Sequence, residues 1–163
     1  MLRLVLFRHA KSSWAHPELG DFERPLNARG RMDAPRMAAK LKPFLGEPFH
    51  VLSSPANRAA ATARYAVTHW KLPDTAINYE ASLYHASSDI LWQIVLNLHD
   101  SVKTVVIFGH NEGLTELAES CSQSTIQHLP TAGIVVFDFA CALWSDLKME
   151  EAKLITFNYP KKV

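Results

Sequence analysis

The chain has 163 residues, of which 48% are hydrophobic and 20% charged, and a formal net charge of +1. This length favours one domain over residues 1–163 with a sizeable core, and the composition is that of a folded chain rather than a disordered one. A charge so near zero gives no bulk attraction for nucleic acid, and no apolar run reaches the length of a membrane span. The opening MLRLVLFRH is too short in its apolar part for a secretion signal, so the cytoplasm is the default expectation. Cys121 and Cys141 lie too far apart to form a metal motif or a disulfide framework. Two basic clusters, Arg24 to Arg36 and Lys161-Lys162, read as a solvated face and a frayed tail.

Short apolar runs alternate with amphipathic stretches, the pattern of an α/β protein in three layers. The expected core is a mostly parallel central sheet with helices on both faces. Arg3 to Phe7 is a first strand, followed by a polar loop from His9 to about Leu26. Asn27 is placed to cap a helix running toward Leu45, with Ala34, Met37, Ala38, Leu41, Phe44 and Leu45 at helical spacing and a kink or restart at Pro35. Gly46 and Pro48 end it. His50 to Ser53 is a buried second strand. Ser54 then reads as an N-cap, with Pro55 at the first helical position of a helix reaching His69. Ala76 to Tyr79 is a short strand, and Ser88 caps a helix that buries Leu91, Ile94, Val95 and Leu98. Thr104 to Phe108 is the clearest central strand, and a helix from Gly113 buries Leu114, Leu117, Ala118 and Cys121. Ile134 to Phe139 and Leu154 to Phe157 form a pair of later strands, antiparallel at one edge.

Three polar groupings fall just after apolar strands: Arg8-His9, Ser53-Ser54-Pro55 leading to Arg58, and Gly109-His110-Asn111. In an open α/β sheet, ligands bind outside the carboxyl ends of the strands, so two arginines and two histidines should converge there. Forked guanidinium donors and two helix N-termini make a cradle for an anion, with phosphoryl the natural guest. A metal is disfavoured beside such cations, since no carboxylate or thiolate accompanies the histidines. The same cations lower the pKa of a neighbouring imidazole and leave it neutral, able to attack phosphorus while the arginines spread the charge on the equatorial oxygens. No cofactor is needed. Arg58, in the first turn of a helix, opposes the helix dipole, a local cost that points to function. His16, His50, His69, His99 and His128 read as structural or surface residues.

Phe7-Arg8-His9-Ala10 resembles the RHG signature of the histidine phosphatase superfamily, the phosphoglycerate-mutase-like fold. Ser53-Ser54-Pro55-Ala56-Asn57-Arg58-Ala59-Ala60-Ala61-Thr62 resembles that family's SSPxxRAxxT element, and Gly109 to Leu114 its second-histidine element. Arg24-Pro25-Leu26-Asn27-Ala28-Arg29-Gly30, Thr131-Ala132-Gly133-Ile134 and the compact length are similar to the SixA-type phosphohistidine phosphatases. The resemblance implies that His9 is the phosphorylated nucleophile and that Arg8, Arg58 and His110 bind the phosphoryl oxygens. Ser13 or Ser12 would add a donor from the first loop, Asn111 would join the phosphate-binding set, and Lys11 is expected to face solvent.

Two departures stand out. Ala10 replaces the usual glycine, which would cost stability or reshape the loop if that position required positive φ. Larger members carry a glutamate after the third strand as general acid, whereas here His85 occupies that position and Glu80 lies nearer the strand. An alkoxide leaving group needs a proton, but imidazole, with a pKa of roughly 6.5, leaves more easily. The pattern therefore suits cleavage of phosphohistidine on a protein partner, in a pocket with little chain to spare for a lid. The alternatives are a phosphatase of small phosphomonoesters and a non-catalytic phosphate-binding module of the same fold. A mutase suits so compact a chain less well, and no glycine-rich fingerprint supports a nucleotide-binding protein.

Overall fold

The computed structural model describes residues 1–162. Its frame is a six-stranded sheet in the order β3-β2-β4-β1-β5-β6. The strands are β1 (Leu2–Arg8), β2 (His50–Ser53), β3 (Ile77–Tyr79), β4 (Thr104–Gly109), β5 (Ile134–Phe139) and β6 (Lys153–Asn158). β1, β2, β3 and β4 run parallel. β5 is antiparallel to β1 and β6 to β5, so the antiparallel pair sits at one edge as expected.

Period-two alternation along buried strands makes two cores, one on each face. Val5, Phe7, Val106 and Phe108 point to the side covered by α1 (Ala28–Leu41) and α2 (Asn57–His69). Leu4, Leu6, Val105 and Ile107 point to the side covered by α3 (Ser88–Leu96) and α4 (Gly113–Cys121). Cys121 and Cys141 are free thiols.

Local chemistry sets the helix ends. Asn27 caps α1, its side chain accepting from Gly30 N–H at 2.9 Å. α1 runs unbroken through Pro35, and a 3-10 turn over Lys42–Phe44 follows it. Two expected caps differ. Ser87, not Ser88, caps α3 by accepting from Ile90 N–H. α2 begins at Asn57 with Ala56 at the cap position and no side-chain cap, so Ser54 does not cap it. The Ser54 hydroxyl is engaged instead with His110 and the Ala56 N–H. Ala10 is fully buried and is not among the residues with positive φ, so alanine needs no special backbone there. Among the described residues no helix is long and apolar enough to cross a membrane.

Candidate active site

The sheet register brings the site together. β4 lies between β1 and β2, with Arg8 opposite Gly109 and Ser53 opposite Phe108. The ladder continues one step past the strands: His9 N–H donates to the Gly109 carbonyl and Ser54 N–H to the Phe108 carbonyl, both at 3.0 Å. His9, His110 and Ser54 therefore stand side by side on the carboxyl edge. Arg58 reaches the same point from the first turn of α2. His9, His110 and Arg58, together with Arg8, Lys11, Ser12, Trp14, Asp21, Arg24, His85, Asn111 and Thr131, line one cleft of about 270 Å³, with Ser54 buried behind His110.

Hydrogen bonding fixes the state of each imidazole. His9 Nδ1 lies 2.8 Å from the Ala10 carbonyl, which can only accept, so Nδ1 carries the proton and Nε2 keeps its lone pair. Arg58 Nε–H faces that lone pair at 3.4 Å. Burial, more than the nearby Arg58, Arg8 and Arg24, pushes the His9 pKa down to about 3, although the Ala10 carbonyl pulls the other way. The arginines thus reinforce a shift whose main cause is loss of solvent.

His110 is also neutral. Burial is again the largest cause, followed by His9, Arg58 and His85, and its pKa falls to about 3. Ser54 Oγ accepts from Ala56 N–H and is 2.8 Å from His110 Nε2, a nitrogen to which its hydroxyl can donate; in that tautomer His110 Nδ1 carries the N–H. His110 Nδ1 and Arg8 Nε are buried and form no hydrogen bond with the described residues. Two buried donors without acceptors are costly unless an anion meets them. Arg8 Nη1 is anchored on the Leu129 carbonyl at 3.0 Å.

A group missed at the sequence level organises the cleft mouth. Asp21 Oδ2 accepts from Tyr84 Oη at 2.6 Å, His85 Nε2 at 2.9 Å and Arg58 Nη2 at 3.0 Å. The Asp21 carbonyl accepts from Arg58 Nη1 at 2.7 Å. Desolvation raises the Asp21 pKa, but these three donors outweigh it and hold the carboxyl well below its ordinary range. Arg24 is buried, binds Asp21 Oδ1 at 3.1 Å and the Ser12 hydroxyl, and stacks under the exposed Trp14 ring. Asp21 and Trp14 stand in an aperiodic loop, where strand-end reasoning has no purchase. The available signal was Arg24, three residues beyond Asp21 in the quoted RPLN stretch.

The other expected residues divide. His85 lines the cleft at a φ of 52°, with its ring against Tyr84 and its Nε2 on Asp21. Asn111 also lines it, though its side chain is used structurally, donating to the Leu129 carbonyl and accepting from Thr115. Ser13 does not line the cleft; its hydroxyl accepts from Ala15 N–H, and Ser12 faces inward instead. Glu80 turns away to accept from Ser82. Lys11 is exposed as expected, yet it borders the cleft. Among the described residues no group of three His, Cys, Asp or Glu side chains is placed to hold a metal ion.

Two neutral histidines make stability depend on acid. The unfolded chain takes up their protons near pH 6.5 while the folded chain refuses them until about pH 3, so stability is fully present above the ordinary histidine pKa and is lost as pH falls below it. Urea unfolding at pH 7 and pH 5 should show the wild type losing about 1–2 kcal/mol more than His9→Ala over that interval.

The cleft sets four cations, Arg8, Lys11, Arg24 and Arg58, against one carboxylate, with an unprotonated imidazole nitrogen among them. Fold and cleft together define an α/β protein with a cationic cleft at the carboxyl edge of its sheet and an uncharged histidine inside it. The family model of the histidine phosphatase superfamily (branch 1) matches residues 4–83, the stretch that carries Arg8, His9 and Arg58. A candidate SixA phosphohistidine phosphatase from Agrobacterium tumefaciens superposes with a TM-score of 0.81 at 26% identity, covering 98% of each chain. The protein histidine phosphatase SixA complexed with tungstate shares the fold at 19% identity, with a TM-score of 0.80 over 97% of each chain. An uncharacterized protein of Mycobacterium leprae is 28% identical over 94% of this chain and 99% of its own. This match and the 26% identical structural neighbour support phosphatase chemistry in this cleft.

Proposed function

We propose that the protein hydrolyses phosphohistidine on a partner protein through a covalent phospho-His9 intermediate. The observation that carries this reading is the buried, neutral His9, with Nδ1–H tied to the Ala10 carbonyl and the Nε2 lone pair met only by a long 3.4 Å contact from Arg58 Nε–H. In the first step the Nε2 lone pair forms a bond to phosphorus as the P–N bond of the substrate breaks in line, and the substrate ring, protonated on its other nitrogen, departs as neutral imidazole. Arg8 Nε–H, Arg58 and His110 Nδ1–H donate to the three equatorial oxygens, and because these donors are already in place, little reorganisation is needed. The new phosphoimidazolium keeps its Nδ1–H on Ala10. In the second step water attacks phosphorus, the P–Nε2 bond breaks, and inorganic phosphate leaves with His9 restored. None of these steps calls on a cofactor.

The leaving group supports the choice of substrate. The acid position holds His85 rather than a carboxylic acid, and Glu80 points elsewhere. Imidazole leaves without the strong acid an alkoxide requires. One observation favours the second reading, a phosphatase of small phosphomonoesters: His85 lines the cleft mouth, with Nε2 2.9 Å from the Asp21 carboxylate, an imidazole within reach of a departing alkoxide.

Turnover of a phosphohistidine protein compared with a panel of sugar phosphates and aryl phosphates separates the two. The expected result is a kcat/KM preference for phosphohistidine of at least about 100-fold, with His85→Ala reducing ester hydrolysis much more than phosphoramidate hydrolysis. Preference for the esters would overturn the substrate assignment. Phosphate binding without turnover of any substrate would favour a non-catalytic module.

A further inference from the structure

A second cavity, about 420 Å³ against about 270 Å³ for the catalytic cleft, opens directly beside it. Lys11 and Thr131 line both, so the two spaces adjoin. The second cavity draws on both basic clusters of the sequence, Arg29 from the start of α1 and Lys161 from the chain end, with Tyr159 as an aromatic wall. It is also where Asn27 and Arg29, from the Arg24 to Gly30 stretch, meet Thr131 at the start of the Thr131 to Ile134 stretch.

Its charge is unbalanced. The one acid in its lining, Asp33, is buried and already answered by Arg29 at 3.4 Å and Arg36 at 3.5 Å. The Lys11 and Lys161 side chains are exposed and form no ion pair or hydrogen bond with the described residues. Lys11 is nonetheless held in place through its backbone. Its carbonyl accepts from Asn27 N–H at 3.0 Å, and a Cβ on Gly30 would come within 2.2 Å of the same oxygen, so only glycine lets α1 pack this closely.

We propose that this groove docks an acidic segment of the substrate protein, next to the phosphorylated side chain in the cleft. The proposal rests on the phosphoprotein reading above and adds the sequence context that the enzyme selects. A single enclosed anion calls for a buried fork such as that of Arg58. Cations with exposed ends on three separate segments suit carboxylates spaced along a chain, and they act mainly on encounter and KM.

Two phosphohistidine peptides that differ only in acidic or neutral flanking residues test this, with phosphoramidate as a small probe. The wild type should favour the acidic peptide by about five- to tenfold in kcat/KM, through KM, and lose most of the preference in about 0.5 M salt. Lys161→Glu, alone and with Arg29→Glu, should abolish the preference and leave phosphoramidate turnover unchanged. Equal kcat/KM for the two peptides in the wild type would overturn the docking proposal while leaving phosphohistidine hydrolysis standing. An equal loss on phosphoramidate in both variants would also overturn it, by placing the effect in the cleft. Failure to cleave either peptide, with ester hydrolysis intact, would overturn the phosphohistidine reading itself.

Discussion

Replacing His9 by alanine should lower kcat by at least about 1,000-fold on every substrate the wild type turns over, because no other group in the cleft can take its place as nucleophile. His110 is the nearest alternative, with ring centroids 5.2 Å apart. Its Nε2, however, lies against Ser54 Oγ, and in the tautomer that accepts the hydroxyl proton its other nitrogen carries one. Neither nitrogen then has a free lone pair. The Ala10 carbonyl would lose its Nδ1–H donor, but the strand-end bonds from His9 N–H to Gly109 and from Ala132 N–H to the His9 carbonyl are backbone contacts and survive. Circular dichroism and urea unfolding at pH 7 should therefore show a folded variant. A residual rate within tenfold of the wild type would contradict this assignment.

Arg58→Ala should cost about 100- to 1,000-fold in kcat, the scale expected for one oxyanion donor, and should weaken phosphate binding as well. A second loss adds to the first. Asp21 is neutralised by Arg58 through both side-chain and backbone bonds. Without the guanidinium, that carboxylate would face the incoming anion with its main counter-charge gone. Adding Asp21→Asn to the arginine variant should recover part of the rate. Arg58→Lys should recover little, because an ammonium cannot reach His9, Asp21 and a phosphoryl oxygen at once. Steady-state kinetics with phosphate inhibition checks both, and an unchanged inhibition constant in Arg58→Ala would remove this residue from the cradle.

Where the fold was legible in the sequence, period and burial agreed. β1 and β4 alternate Leu4, Val5, Leu6, Phe7 and Val105, Val106, Ile107, Phe108 between two cores, and the residues just beyond them land on one edge because the strands are parallel. That rule alone placed His9, His110 and the Ser54–Arg58 stretch together. It says nothing about loops. Asp21, Arg24 and Trp14 enter the cleft through a segment with no periodicity, placed there by the Asp21–Arg58 bonds and by the Arg24 guanidinium against the Trp14 ring.

Serine was the least legible residue. Ser54 before Pro55 carries the local signature of a helix cap, yet its hydroxyl bonds His110 because that partner is buried and needs it. Ser87 and Ser88 are adjacent with equal capping chemistry, and helix register chose the first. Ser12 and Ser13 show the same ambiguity at the cleft, since a one-residue shift in an extended segment reverses which side chain faces in.

The most direct test of the central claim is acid-free rapid quenching during turnover, followed by peptide mapping and NMR of the phosphorylated peptide. Phosphate should be found on His9, on the Nε2 nitrogen, and should be absent from His9→Ala. Phosphate on Nδ1, on His110, or on no histidine at all while turnover proceeds would contradict the account.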